Sequence, residues 1–287
     1  MTGNGSPLDG IGRFSIVPLS FRVCATANVG LMRAAPMPAA SRKKLVRDKS
    51  LESKDFKLRR IVERFLCTGH IVRIMMCWQL RRLMAMRTDQ ARIAAMLLLT
   101  LRGTPTVYYG DEIAMKQVAM APDQIRDPLG KNVSGRGLGR DGCRTPMQWD
   151  STTHADFSSV EPWLPLGGGL DHDNVLAQRS DHTSMYRLYR GLIDLRRKRP
   201  ALSHGSYGSV RADGNLLVFT REHGREQLLV ALNFDGTPVA ASLPSGECVG
   251  RLLVSSAADR AGEPVRGSLN LRANEGAIVE LRDGSAK

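Results

Sequence analysis

Acidic side chains are in short supply in this 287-residue sequence: 28 Asp and Glu stand against 41 Lys and Arg, for a formal charge of +13. Long apolar runs are missing too. None approaches the ~20 residues that a helix needs to cross a bilayer, which excludes a helical membrane span. Cysteine is sparse and odd in number, at positions 24, 67, 77, 143 and 248. Without CxxC pairs or a dense framework, neither a zinc module nor a disulfide scaffold is expected. The five read as reduced thiols, so the expected location is the cytoplasm. With 42% hydrophobic residues, the chain is not disordered as a whole, and its length allows a sizeable core in one or two domains.

The charge is unevenly placed. Residues 1–90 carry 17 basic and 6 acidic side chains, while 91–287 carry 24 and 22. The first third also holds seven of twelve methionines and three of five cysteines, with no sustained period of 3.6 or 2. Phe14 to Phe21 is apolar, but Arg13 alone precedes it, which falls short of a charged, apolar and cleavage-site order. The clusters Ser41 to Arg47 and Lys54 to Arg60 raise a nucleic-acid reading, since basic patches contact phosphate. Only Phe56 interleaves and no helix-turn-helix or zinc framework accompanies them, so a solvated segment is the plainer reading and a nucleic-acid partner is not expected.

Organised text begins near residue 88. Thr88 or Asp89 can cap a helix through Ile93, Met96, Leu97 and Leu98 to Leu101, with Gly103 stopping it and Pro105 beyond. It is apolar nearly all round and should be buried. Residues 104–109 (TPTVYY) then read as a short buried parallel strand ended by Gly110. From Asp111 to about Asp181 the chain is rich in Gly, Pro, Asp and Asn, and a loop of that length in a compact domain is usually functional. Met185, Leu188, Tyr189, Leu192, Ile193 and Leu195 recur at helical spacing behind a Ser184 cap, with a basic last turn before Pro200. From Ser206 the period changes to 2. Strands are expected at 216–220, 228–234, 249–255, 268–272 and 277–281, making a small antiparallel β domain.

The runs at 97–115 (LLLTLRGTPTVYYGDEIAM), 140–150 (RDGCRTPMQWD), 161–166 (EPWLPL) and 185–202 (MYRLYRGLIDLRRKRPAL) resemble the carboxyl-terminal part of α-glucosidases and oligo-1,6-glucosidases of the α-amylase superfamily. The likeness covers roughly residues 85–285, and RTPMQWD is its most specific marker. It implies an α/β plus all-β fold, in which the last helix-strand-helix portion of a (β/α)8 barrel is followed by a small antiparallel β-sandwich domain. The expected domains are an unassigned basic segment, out of frame or disordered (1–84), the carboxyl-terminal part of the barrel (85–204) and the β domain (205–287). The implied substrate is an α-glucoside.

Retaining hydrolysis needs two carboxyl groups about 5 to 5.5 Å apart. In the family an Asp and a Glu at the ends of the fourth and fifth strands supply them, and a third Asp comes from an Asn-His-Asp string. Residues 1–84 hold no such string and only Glu52 and Glu63 as glutamates, so no catalytic residue is assigned. Cys77-Trp78-Gln79-Leu80-Arg81 stands where Asn-His-Asp would be expected. Some codon choices for these five residues, shifted by one base, come within one base of Gly-Asn-His-Asp. This fits an out-of-frame or truncated reading upstream.

Arg140 and Arg144 are the substrate-binding candidates, because the resemblance implies that an arginine of this loop pairs with an upstream Asp and holds glucose hydroxyls. Loop bracing is the competing role for both. Asp111 and Glu112 are neighbours on one strand end, cannot straddle one bond and are expected to be structural. Trp149 and Trp163 could stack on sugar, but their proline-flanked settings favour anchoring the loop. His154, His172 and His182 lack ligand spacing, and Cys143 has no adjacent base. No metal or cofactor is expected. The chain therefore reads as the carboxyl-terminal fragment of a glycoside hydrolase, inactive alone. The alternatives are a half-enzyme needing a separate amino-terminal barrel half, or a basic nucleic-acid-binding protein.

Overall fold

The computed structural model describes residues 88–132, 139–245 and 248–282, all within the compact unit Leu51–Lys287. The basic segment 1–84, with its expected frame shift or disorder, lies outside the described residues.

Helix α1 (Thr88–Thr100) consists mostly of Ala, Leu, Met and Ile with no Gly or Pro, and every residue from Ala91 to Thr100 is buried, including Arg92, which donates from Nε to Ser256 O. Its apolar circumference leaves no face for water, as expected of a core helix. The chain turns away at Gly103, whose φ is 99°. Residues 104–109 then depart from expectation. They pair with no strand among the described residues, and Val107 and Tyr109 are 39% and 41% exposed. A β-rich composition is not enough for a strand, because a strand exists only through the ladder of a neighbour, and the described residues supply none here.

The following loop carries a short helix α2 (Pro128–Asn132) and a helix α3 (Val175–Ser180). Asn174 caps α3 by accepting the Ala177 amide at 2.7 Å. Helix α4 (Met185–Lys198) follows its expected cap: Ser184 Oγ accepts from the Arg187 amide at 3.2 Å. Met185, Leu188, Tyr189, Leu192 and Arg196 form its buried face. Pro200 opens one more turn, α5 (Pro200–Ser203), where its missing N–H is harmless.

Eight strands make one antiparallel sheet: β1 (Ser206–Asp213), β2 (Leu216–His223), β3 (Glu226–Asn233), β4 (Val239–Ser242), β5 (Val249–Ser255), β6 (Pro264–Arg266), β7 (Ser268–Leu271) and β8 (Gly276–Arg282). Their spatial order is β1-β2-β3-β8-β5-β6-β7-β4. Two-residue turns join β1 to β2 and β2 to β3, and in each the first turn residue, Gly214 or Gly224, takes a positive φ, matching the strand twist. The five expected strands are all present, while β1, β4 and β6 go beyond them. β1 escapes an alternation test because it is an edge strand exposed along nearly its whole length.

Period-2 alternation sorts the sheet into two cores. One face gives Leu216, Val218, Leu229, Ala231, Ala277, Val279 and Leu281 to a cluster closed by Leu252, Val265, Leu269 and Leu271, so the sheet folds over itself. The other face gives Leu217, Phe219, Val230, Leu232 and Ile278 to a cluster with Ile93, Met96 and Leu97 of α1 and Leu188, Tyr189 and Leu192 of α4. α1 rests directly on the sheet. A Cβ on Gly276 would come within 2.9 Å of both Met96 Sδ and Leu232 Cδ2. The core thus runs across the expected boundary between 204 and 205.

Candidate active-site loop

Every sequence-based candidate on a described residue lies between Tyr109 and His182, and backbone contacts decide how this stretch is held. Residues 108–111 turn sharply: the Asp111 amide donates to Tyr108 O at 3.0 Å, and the Tyr108 amide donates to Asp111 Oδ2 at 3.2 Å. A 3-10 turn covers Asp111–Ile113. The Met115 amide closes back on Gly110 O at 2.8 Å, and Gln178 Nε2 donates to Ile113 O at 2.9 Å. Asp111 therefore has the structural role expected of it, as a side-chain acceptor completing a turn. Glu112 beside it is half-buried.

The RDGCRTPMQWD string lies against this turn. Tyr109 donates its hydroxyl to Thr145 O at 3.1 Å, and the Val118 amide donates to Gly142 O at 3.0 Å. The approach is so close that a Cβ on Gly142 would stand 2.3 Å from Val118 O, which is why glycine occupies that place.

Two carboxylates then lock the string to residues 126–129. Asp141 is buried, and its Oδ2 accepts the amides of Arg126 and Asp127 at 2.7 Å each. Asp127 returns the arrangement, accepting the Arg140 amide at 2.8 Å and the Leu129 amide at 3.0 Å. The Arg140 amide, with help from the Leu129 amide and the charges of Arg140 and Arg144, holds the Asp127 carboxyl below its ordinary range. This reciprocal clasp escaped sequence reasoning. Its only sequence signal is an Asp at each end of a Gly-rich stretch, a pattern that any polar loop can show.

Arg140 and Arg144 are accordingly brought around one carboxylate of their own loop. Arg140 Nε is 3.4 Å from Asp127 Oδ2, with the side chain half exposed. Arg144 is exposed, and its amide closes the 3-10 turn Asp141–Cys143 by donating to Asp141 O at 2.8 Å. Arg140 thus meets Asp127 through its side chain, whereas Arg144 contributes a backbone amide to the turn.

The two tryptophans differ from the anchoring role expected of them. Trp149 is 46% exposed and Trp163 68%; backbone bonds, from the Trp149 amide to Ala155 O and from the Leu176 amide to Trp149 O, do the anchoring at Trp149. Ile113, Met115 and Met147 of this loop form a buried apolar cluster, and Leu164 is buried as well. His172 and His182 are exposed and His154 half-buried. Among the described residues no group of His, Cys, Asp and Glu has the arrangement of a metal site. Cys143 is buried in the 3-10 turn.

Comparison with known proteins places this geometry. The chain is 36% identical over 154 residues to a probable α-glucosidase of Rhizobium meliloti, covering 54% of this chain and 28% of that protein. With the oligo-1,6-glucosidase of Bacillus cereus it shares 32% over 177 residues, 55% of this chain and 32% of that one. Among solved structures, the trehalulose synthase MutB of Pseudomonas mesoacidophila MX-45 superposes with a TM-score of 0.60 at 28% identity, over 68% of this chain and 38% of that one. The isomaltulose synthase of Klebsiella sp. LX3 gives 0.61 at 26% over the same shares. The chain thus spans about a third of the length of these relatives. The expected fold class agrees with them: the end of an α/β barrel followed by an antiparallel β domain. The family model for the α-amylase catalytic domain matches residues 33–205, well over half of the chain, and so the chain belongs to the α-amylase catalytic-domain family.

Proposed function

We propose that this chain carries the carboxyl-terminal part of an α-glucosidase-like glycoside hydrolase acting on α-linked glucosides, and that it is inactive by itself. The observation that carries this reading is the fate of the loop carboxylates. Retaining chemistry requires one carboxylate free to attack and another free to protonate, about 5 to 5.5 Å apart. Asp127 and Asp141 instead accept two backbone amides each, and Asp111 accepts one. A carboxylate held by two amides is stabilised as an anion and is a poor nucleophile. No Asn-His-Asp string occurs in the sequence.

The purified chain is expected to release no glucose from maltose, isomaltose or sucrose above background. Turnover that persists in protein prepared from a host lacking its own glucosidases would reject the reading.

A second reading, a half-enzyme whose amino-terminal barrel half is supplied separately, is supported by the family match of residues 33–205 together with the lack of an Asn-His-Asp string in the sequence. In that assembly Arg140 and Arg144 would hold the hydroxyls of the substrate. Co-expression with the amino-terminal part of a related α-glucosidase tests it. Restored turnover whose KM rises in Arg140→Lys or Arg144→Lys would support the assembly and the assignment together. Restored turnover indifferent to both variants would remove the arginines from the site.

A further inference from the structure

The carboxyl end of α1 is closed by two arginines from different elements. A helix leaves its last carbonyls without intrahelical partners, and here they are met from outside. Arg196, on the buried face of α4, donates from Nη1 to Leu99 O at 2.7 Å and to Leu101 O at 2.9 Å, and from Nη2 to Gly103 O. Arg221 of β2 donates from Nη1 to Thr100 O, and from Nη2 to Gly205 O at 2.9 Å. Tyr207 of β1 accepts the Arg102 amide on its hydroxyl at 2.9 Å. Its ring faces the Arg221 guanidinium, 5.1 Å from ring centre to Cζ, and meets Phe219 edge-on at 5.8 Å.

Arg221 is fully buried, and burial pulls its pKa down to about 10, so it remains charged at neutral pH. Among the described residues no carboxylate pairs with it. A buried charge without a counter-ion is expensive; what stabilises this one is the negative end of the α1 dipole, concentrated on the carbonyls it touches, together with the face of Tyr207. The guanidinium also suits the task geometrically. Its flat fork reaches two carbonyls on separate segments, which the single ammonium of lysine cannot do in the same way.

The geometry points to a clamp: Arg196 and Arg221 fix where the chain leaves α1, so that the β domain and α4, rather than α1 itself, set the course of residues 101–103 into the loop bearing the RTPMQWD string. Without them the carbonyls of Leu99 and Thr100 at the helix end, and those of Leu101 and Gly103 just beyond it, would lose these donors. The path onward is short, since Tyr109, six residues beyond Gly103, reaches Thr145. The clamp is therefore a conformational device through which the β domain positions the candidate site, independent of whether that site is active.

Hydrogen exchange on the full chain tests this. In both Arg221→Met and Arg221→Lys, the amides of Leu101 and Arg102 are expected to exchange at least ~10-fold faster, while those in the β3–β8 ladder keep their protection. Arg196→Lys should act in the same direction. Unchanged exchange at Leu101 and Arg102 in Arg221→Lys would overturn the clamp. So would an equal acceleration at Leu101 and throughout the β3–β8 ladder, because Arg221 would then be a general core residue. If Arg221→Met does not fold, the lysine variants decide alone.

Discussion

Replacing Ile93 by alanine tests whether the helices and the β domain are one folding unit. Ile93 is completely buried in α1, among residues of α4 and of the sheet. The substitution removes three carbon atoms; at about 0.8 kcal/mol for each buried methylene-sized group, the lost transfer energy is ~2.4 kcal/mol. The neighbours belong to two helices and a hydrogen-bonded sheet and cannot collapse fully into the gap, so a cavity contribution raises the loss to roughly 3–4 kcal/mol. Ile193 on the outer side of α4 is 40% exposed, and Ile193→Ala is a matched control expected to lose less than about 1 kcal/mol. The assay is urea unfolding of the full chain followed by two probes, the far-UV helix signal and the protection of the β3 amides. Both should shift together to lower urea with unchanged slope, the mark of one cooperative transition. A loss below ~0.5 kcal/mol, or a helix transition that separates from an unmoved β3, would refute the shared core and restore an independently folding β domain from about residue 205.

Three further outcomes are expected. Gly276→Ala should destabilise by about 1–3 kcal/mol through overpacking, and less in a Met96→Ala background, because the added methyl meets Met96 Sδ at 2.9 Å; full additivity in a double-mutant cycle would contradict the contact. Asp141→Ala, which frees the Arg126 and Asp127 amides, should weaken the loop by about 1–3 kcal/mol and speed trypsin cleavage at Arg126 and Arg140, whereas an unchanged digest would show that the clasp is dispensable. Arg272 holds Asp259 in a two-pronged contact at 2.7 and 2.8 Å and lowers its pKa from 3.8 to about 2. A folded pKa below the unfolded one means that this contribution is complete above about pH 4 and disappears as pH falls through 2. Both side chains are about half exposed, so the effect should be modest and screened by salt. The stability gap between wild type and Arg272→Met should narrow from pH 5 to pH 2, and a gap independent of pH would refute the assignment.

Cap and stop signals around an apolar run were sufficient for α1, and periodicity for α4 with its Ser184 cap and for the five apolar strands, because each of these elements carries its burial pattern in its own residues. The same periodicity contained two signals that composition hid. Arg196 follows Leu188 and Leu192 at intervals of four on the buried face of α4, and Arg221 follows Leu217 and Phe219 at intervals of two on one face of β2. Their charge suggested solvent, yet their positions placed them inside. A basic last turn was legible as a favourable end for α4, but not that Arg196 turns inward while Arg197 and Lys198 stay exposed.

What the sequence determined by itself was the set of local elements and, through its motifs, the resemblance to the glucosidase branch of a superfamily. Tertiary structure decided everything that depends on a neighbour distant along the chain. Residues 104–109 have strand composition but form no strand, because hydrogen-bonded pairing is a property of two segments. Arg140 pairs with Asp127, and Asp141 with the backbone of 126–127, because the chain doubles back there, and no local pattern encodes that return. The boundary near residue 205, clear in the change of period from 3.6 to 2, does not divide the core, since a helix that is apolar on every side must be covered by whatever packs around it, and here the sheet supplies part of that cover.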